Sequence, residues 1–338
     1  MVMTQETIAN KKNLIVLIGA FAAVYIFWGS TYLAIKYAMD TLPPFLMAGS
    51  RFLVAGSILY LVARFSADYE RPKPVHWRTS FVVGTLLLLG GNGGVVIATL
   101  YIPSSLTALL VATEPFFIII LSWLWLKGGR PGWKASLGLL IGFAGVWLLI
   151  SGRPAGGVAG TSDTGQWIGI AAVIFGALSW AAGSIYGLKS PVPKSSMQTA
   201  AMQMISGSLS LLLVGLIRGE WSRFDPSAVS ANSIIGVTYL IIFGSLIGFT
   251  AYSWLLKNAE PSMVATYAYV NPVIAVLLGW GIAGESLTAQ MLIGAFIVVV
   301  SVALITANKK AKNEDGEEIE IHRSQTPSCN QPSFSTSS

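Results

Sequence analysis

The chain has 338 residues, of which 54% are hydrophobic and only 11% are charged, and its formal net charge is +6. A soluble domain usually carries about 25% charged residues, so the composition excludes an ordinary soluble fold. The positive charge does not indicate nucleic-acid binding, because the basic residues fall in alternate loops between apolar segments. The composition therefore predicts a protein that spans a membrane.

Long apolar segments rich in Leu, Ile, Val, Ala and Gly follow one another along the chain. A spanning helix needs about 20 such residues, whereas the strands of a membrane barrel are about 10 residues long and alternate in polarity. We therefore predict an all-α integral membrane fold with ten transmembrane helices. Their predicted ranges are 14–38, 43–65, 79–99, 104–126, 135–151, 167–188, 197–217, 233–255, 262–283 and 287–307.

The distribution of Lys and Arg predicts the orientation. With the amino terminus in the cytoplasm, sixteen basic residues lie on the cytoplasmic side and four on the outer side. Cytoplasmic loops are enriched in Lys and Arg, so both termini are predicted to be cytoplasmic. Residues 1–13 then form a cytoplasmic amino terminus, and the polar residues 308–338 form a disordered cytoplasmic tail.

Two pairs of segments indicate an internal duplication. Residues 103–115 resemble 260–272, and residues 28–32 resemble 180–186, at offsets of 157 and 152 residues. An odd number of spans in each copy inverts the second copy across the membrane, which places a site near the midplane between the copies. We predict two inverted five-helix repeats, at 14–151 and 167–307, joined by an outer linker at 152–166.

Arg51 and Glu114 are the only Arg, Lys, Asp or Glu residues near the centre of a predicted span. A charge at this depth costs a few kcal/mol, so both should face protein or water. Arg51 is suited to a substrate carboxylate or phosphate. Glu114 is suited to a substrate ammonium or a coupling proton. A direct Arg51–Glu114 pair is the structural alternative for both residues, and a cap on the carbonyl groups of a broken helix is a further one for Arg51; the sequence leaves these open.

Seven further residues are candidates for the substrate site. Asn92 lies among four glycines and is either a cavity group or an interhelical hydrogen-bonding group. Asn271 occupies, in the second repeat, the position that Glu114 has in the first. Aromatic side chains would line a cavity and stack on rings or cations, or would pack between helices or in the belt at the membrane interface. The aromatic candidates are Trp28, Tyr32, Trp180, Tyr186 and Tyr267.

No motif for a cofactor or a metal is present, so none is predicted. The one cysteine, Cys329, lies in the predicted tail and excludes an internal disulfide. Glu285 lies in a short outer loop, where we expect it to cap the start of the tenth helix, with a gating role as the alternative.

Several of these segments together resemble the drug/metabolite transporter superfamily, specifically EamA-type exporters and most closely their YedA-like bacterial members. The segments are Trp28–Tyr32, Pro43–Pro44, Ala48–Phe52, Gly91–Gly93, Pro103–Pro115, Ser262–Pro272 and Gly284–Leu287. The resemblance implies ten helices in two inverted repeats, a central cavity, and export of small metabolites or amino acids across the bacterial inner membrane without ATP. In one departure, the Gly-Glu pair expected in each repeat occurs only at Gly284-Glu285, and the first repeat has 127–130 (Lys-Gly-Gly-Arg) instead.

We therefore predict a secondary transporter that exports amino acids or other small organic metabolites by alternating access. Its predicted partners are a small-molecule substrate, the lipid bilayer and a coupling proton, but no nucleic acid. Export of cationic drugs is the main alternative. A channel is disfavoured because no ring of like charges is seen, and an enzyme because no nucleophile or metal cluster is seen.

Overall fold

The computed structural model describes residues 5–125, 133–151, 162–259, 264 and 266–301, and all regular structure within these ranges is helical. The predicted tail and most of the predicted linker, residues 152–161, lie outside the described residues. The long helices in chain order are α1 (Gln5–Ala23, Val24–Trp28 and Gly29–Ala38), α2 (Pro44–Arg64), α3 (Pro74–Gly84, Thr85–Asn92 and Gly93–Ala98), α4 (Ser104–Val111 and Glu114–Trp125), α5 (Trp133–Ser151), α6 (Asp163–Lys189), α7 (Ser196–Ile217), α8 (Ala231–Tyr239, Leu240–Ile247 and Gly248–Asn258), α9 (Tyr267–Gly281) and α10 (Ala289–Ser301). Two short helices, Glu220–Arg223 and Pro226–Ala228, lie between α7 and α8.

Seven of these helices are long and apolar enough to cross a membrane, namely α1 to α4 and α6 to α8. The remaining three contain shorter apolar helices, at Ser136–Leu149, Val270–Gly281 and Ala289–Ser301. The prediction of an all-helical membrane protein is therefore confirmed for the described residues. The count of ten spans, the inversion of the repeats and the side of each terminus stay predictions.

Helices α2 and α7 form a closely packed pair that is held at both ends. At one end, the Leu46 backbone N–H donates to the Glu220 carboxylate, with an N–O distance of 2.8 Å. At the other end, the Gln198 amide donates to the Glu70 carbonyl at 2.8 Å and accepts from the Glu70 N–H at 3.3 Å. Each contact satisfies a backbone group that would otherwise lack a partner. The pair is thus fixed by contacts between distant parts of the chain.

Helix α3 approaches α7 closely because both helices have a glycine at the crossing. A Cβ atom on Gly84 would lie 2.3 Å from the Gln203 carbonyl oxygen, and one on Gly207 would lie 2.4 Å from the Gly84 carbonyl oxygen. Small residues of this kind let helix backbones meet in a membrane, where van der Waals packing contributes much of the association energy.

Three helices change from α-helical to π-helical geometry partway along their length. The π segments are Val24–Trp28 in α1, Thr85–Asn92 in α3 and Leu240–Ile247 in α8. Helix α4 is broken instead, between Val111 and Glu114. Such irregular segments are frequent at functional sites and are tolerated at membrane depth only where protein or a cavity surrounds them.

The expectation that Glu285 caps α10 is not met. Its carboxylate accepts hydrogen bonds from the backbone N–H groups of Ser104 and Ser105, at 3.1 and 3.0 Å, and so caps the start of α4. Gly284 has a φ of 66°, a conformation that glycine adopts readily, where the chain turns out of α9. The sequence indicated a cap correctly, but its partner is distant in sequence and no local pattern identifies it.

Replacing Gly84 with Ala tests the α3–α7 crossing. The new methyl would collide with backbone atoms that cannot rotate away, so we expect Gly84→Ala to lower stability by about 1–3 kcal/mol. Thermal unfolding in detergent measures the effect. Gly187→Ala is the matched control, because its Cβ would lie 3.6 Å from Val83, an ordinary contact. Equal melting temperatures for the two variants would contradict the account.

Candidate functional site

The irregular segments of the four helices border one cavity. Trp28 ends the π segment of α1, Asn92 ends that of α3, and Gly244 lies within that of α8. Glu114 begins the second segment of α4. The Trp28 indole N–H donates to the Gly244 carbonyl oxygen at 3.1 Å, which joins two of the π segments directly. Each departure from regular α-helix thus places a side chain or a backbone group at the wall of this cavity.

The cavity has a volume of about 80 Å³ and is lined from α1, α2, α3, α4, α6, α8 and α9. Drug-sized ligand pockets are several times larger, so a substrate that fits here is small or requires the helices to separate. The structure brings eight of the nine predicted site residues to its wall: Trp28, Tyr32, Arg51, Asn92, Glu114, Trp180, Tyr267 and Asn271.

Tyr186 is the predicted site residue that does not line the cavity. Its side chain is 39% exposed. It follows Trp180 by six residues on the continuous helix α6, which at about 100° per residue places it well around the helix from Trp180. Phe249 of α8 does line the cavity. The sequence does not indicate this position, because an apolar residue in an apolar span carries no distinguishing signal.

Arg51 is buried, with 3% of its surface exposed, and protein groups satisfy only part of its guanidinium. Its Nη2 donates to the Asn92 side-chain oxygen at 2.9 Å. Its Cζ lies 4.2 Å from the centre of the Phe52 ring, a cation–π contact. Nε and Nη1 have no hydrogen-bond partner. Among the ion pairs of the described residues, none joins Arg51 to Glu114. The alternative of a direct pair is not adopted in this conformation.

Glu114 is also buried, with 3% exposed, and its hydrogen-bond partner is a tyrosine rather than a cation. The Tyr267 hydroxyl lies 2.9 and 3.0 Å from the two carboxylate oxygens and donates to them. Glu114 is the first residue of a helical segment, where the positive end of the helix dipole favours a carboxylate. Its position at the wall leaves it available to a cationic group of a ligand.

Aromatic rings surround Trp28 on several sides. Its ring lies 4.9 Å from Tyr252, 5.5 Å from both Phe249 and Tyr267, and 6.0 Å from Trp180, measured between centroids. These distances are typical of stabilising aromatic pairs. Of these rings, those of Trp28, Phe249, Tyr267 and Trp180 line the cavity beside its polar groups.

Most of the unpartnered polar atoms belong to the cavity. Six buried side-chain nitrogen or oxygen atoms of the described residues have no hydrogen-bond partner, and four of them are Arg51 Nε and Nη1, Trp180 Nε1 and Asn271 Oδ1. Buried polar atoms are almost always hydrogen-bonded, because leaving one unpaired costs about 1–3 kcal/mol. Three donors and one acceptor thus border one cavity. No group of three or more His, Cys, Asp or Glu side chains within the described ranges is placed to hold a metal ion.

Removing the Tyr267 hydroxyl tests the Glu114 contact. We expect Tyr267→Phe to lower stability by about 1–3 kcal/mol, because it removes a hydroxyl that donates to both oxygens of a buried carboxyl group. Thermal unfolding in detergent gives the measurement. Tyr186→Phe removes the same atom from a half-exposed position and should change little. If Tyr186→Phe were the more damaging change, the assignment of the Glu114 partner would be wrong.

Comparison with known proteins gives one family. The sequence profile of the EamA-like transporter family matches residues 14–151 and 167–307. The chain is 37% identical over 300 residues to the uncharacterized inner membrane transporter YedA of Escherichia coli, covering 88% of this chain and 93% of that protein. It is 30% identical over 292 residues to the uncharacterized transporter YvbV of Bacillus subtilis, covering 86% and 92%. A solved crystal structure shares the fold with a TM-score of 0.59 at 22% identity, over 86% of this chain and 96% of that one.

Proposed function

The chain belongs to the EamA-like transporter family, and we propose that this transporter exports amino acids or other small zwitterionic metabolites across a bacterial inner membrane. Members of this family are transporters and not enzymes, and this chain is therefore a transporter. One observation carries the choice of substrate class. A guanidinium with two unpartnered nitrogens and a carboxylate without a cationic partner line the same small cavity.

A zwitterion complements this wall at both of its charged ends. Its carboxylate accepts from the guanidinium of Arg51, whose Nε and Nη1 have no partner in the protein. Its ammonium faces Glu114 and the unpartnered Asn271 side-chain oxygen. Asn92 holds the guanidinium in place through Nη2. Among the described residues that line the cavity, Glu114 is the only acidic one. We therefore propose it as the group that carries a coupling proton.

Alternating access between two inverted five-helix repeats, at 14–151 and 167–307, is the proposed mechanism. The π segments Thr85–Asn92 and Leu240–Ile247 support it, because they begin 155 residues apart, between the two offsets found in the sequence. The end contacts of the α2–α7 pair support it as well. In each, the segment of chain that follows one helix contacts the first turn of the other. Inverted repeats exchange conformations around a fixed midplane site.

Export of cationic aromatic compounds is a second candidate, and the wall around Trp28 favours it. A carboxylate beside a cluster of aromatic rings suits an organic cation as well as an amino acid. The two candidates differ at Arg51, because a cation gains nothing from a guanidinium. The response of binding to Arg51 therefore separates them.

Replacing Arg51 tests the proposal directly. We expect amino acids to raise the melting temperature of the purified protein in a saturable way, because they bind only its folded form. Arg51→Gln should weaken that binding by about tenfold or more, since it removes a charged donor from the site. Arg64→Gln on the same helix is the control. Arg64 is exposed and donates to Tyr69, away from the cavity.

Two results would count against zwitterion transport. Equal amino-acid binding by Arg51→Gln and Arg64→Gln would remove Arg51 from the site. A shift with cationic aromatic compounds that survives Arg51→Gln would favour the second candidate.

The lone cysteine offers a test of the proposed orientation. Cys329 is the only cysteine of the chain, and we propose that it lies in the cytoplasm. A membrane-impermeant maleimide should then label it in inside-out vesicles and not in intact spheroplasts. Cys329→Ser gives the background signal. Labelling in intact spheroplasts would place the carboxyl terminus outside and reverse the topology.

A further inference from the structure

A single carboxylate joins the loop after α9 to the start of α4 and the end of α1. Glu285 Oε1 accepts from the Ser104 hydroxyl at 2.8 Å and from Lys36 Nζ at 3.1 Å. Glu285 Oε2 accepts from the Ser105 hydroxyl at 2.6 Å. The two serine N–H groups donate to the same carboxylate oxygens. We call Glu285, Ser104, Ser105 and Lys36 the outer clasp.

The sequence around Glu285 is suited to this contact. Gly284 has a φ of 66° at the turn, and the Glu285 N–H donates to the Gly279 carbonyl at 2.9 Å. Gly279 leaves room for the carboxylate because it has no side chain; a Cβ atom there would lie only 2.6 Å from Glu285 Oε2. The Gly284-Glu285 pair therefore both turns the loop and places its carboxylate against α4.

The carboxylate of the clasp is ionised at neutral pH. Burial acts to raise the pKa of Glu285, but hydrogen bonds from Ser105, Ser104 and Lys36 outweigh it and hold the pKa below the ordinary value of 4.5. A charged acceptor makes stronger hydrogen bonds than a neutral one. The clasp is thus a strong contact under physiological conditions, and not a weak surface ion pair.

The clasp joins two elements that both reach the cavity wall. Ser104 and Ser105 begin the first segment of α4, which ends at Val111 on the cavity wall. Glu285 follows α9, which packs against that segment and supplies Tyr267 and Asn271 to the same wall. In the proposed arrangement these elements belong to different repeats, and the clasp lies on the outer side of the cavity.

We propose that the outer clasp holds the outer side of the cavity closed, and that undocking of Glu285 from Ser104 and Ser105 opens it to the outside. The proposal rests on the inverted-repeat mechanism and orientation proposed above, and it is independent of the substrate. The α2–α7 pair provides the contrast. Its cap, Glu220 on Leu46, is a similar buried carboxylate at a helix start, but it joins two unbroken helices, whereas α4 is broken at the cavity.

Accessibility of a cysteine on the cavity wall tests the clasp. The probe is Val111→Cys in a Cys329→Ser background, labelled with an impermeant maleimide added outside intact spheroplasts. We expect Glu285→Gln to speed labelling by about tenfold. The amide replaces one of the two acceptor oxygens with an NH2 group, which cannot accept from a serine N–H, and it removes the ionic contact with Lys36. Glu220→Gln is the matched control and should leave the labelling rate unchanged.

A second variant keeps the test valid if Glu285→Gln does not fold. Gly279→Ala pushes on the carboxylate without removing it and should also speed labelling from outside. If both variants lower the melting temperature but label at the parent rate, Glu285 is only a helix cap and the proposal is overturned. Faster labelling only from the cytoplasmic side overturns it as well. Since the assay uses no substrate, a wrong substrate class would leave its outcome unchanged.

Discussion

The buried guanidinium of Arg51 is the constraint on which the site depends. A charge at membrane depth must meet protein or water, and here protein meets only part of it, through Asn92 and the Phe52 ring. The two remaining nitrogens border a cavity whose wall also includes Glu114. The free-energy cost of burying the unpartnered nitrogens is lowered when a ligand supplies the missing acceptors. A structural ion pair, in contrast, supplies the partner from the protein itself.

Rigid and irregular helices have different roles in this fold. Helices α2 and α7 are unbroken, and they are joined at both ends by hydrogen bonds between distant segments. Helices α1, α3, α4 and α8 are π-helical or broken near the cavity. In the proposed mechanism, the unbroken pair holds Arg51 in a fixed frame, whereas the irregular helices change their backbone geometry as a substrate enters and leaves.

Much of the site could be predicted from the sequence because charge depth is a strong signal in an apolar chain. Arg51 and Glu114 stand out there, and both line the cavity. Tyr186 was a weaker prediction, because a resemblance between segments does not fix the rotation of a helix, and the structure turns it outward. The tyrosine that contacts Glu114 and the serines that contact Glu285 could not be assigned, because those contacts join residues more than 150 positions apart.

The most direct test of the account changes the ligand and the protein together. The binding of an amino acid and of its carboxamide analogue would be measured by calorimetry on the parent protein and on Arg51→Gln. If the ligand carboxylate contacts Arg51, the parent should favour the amino acid by about tenfold or more, and this preference should vanish in the variant. A preference of equal size in both proteins would place the carboxylate elsewhere and contradict the central claim.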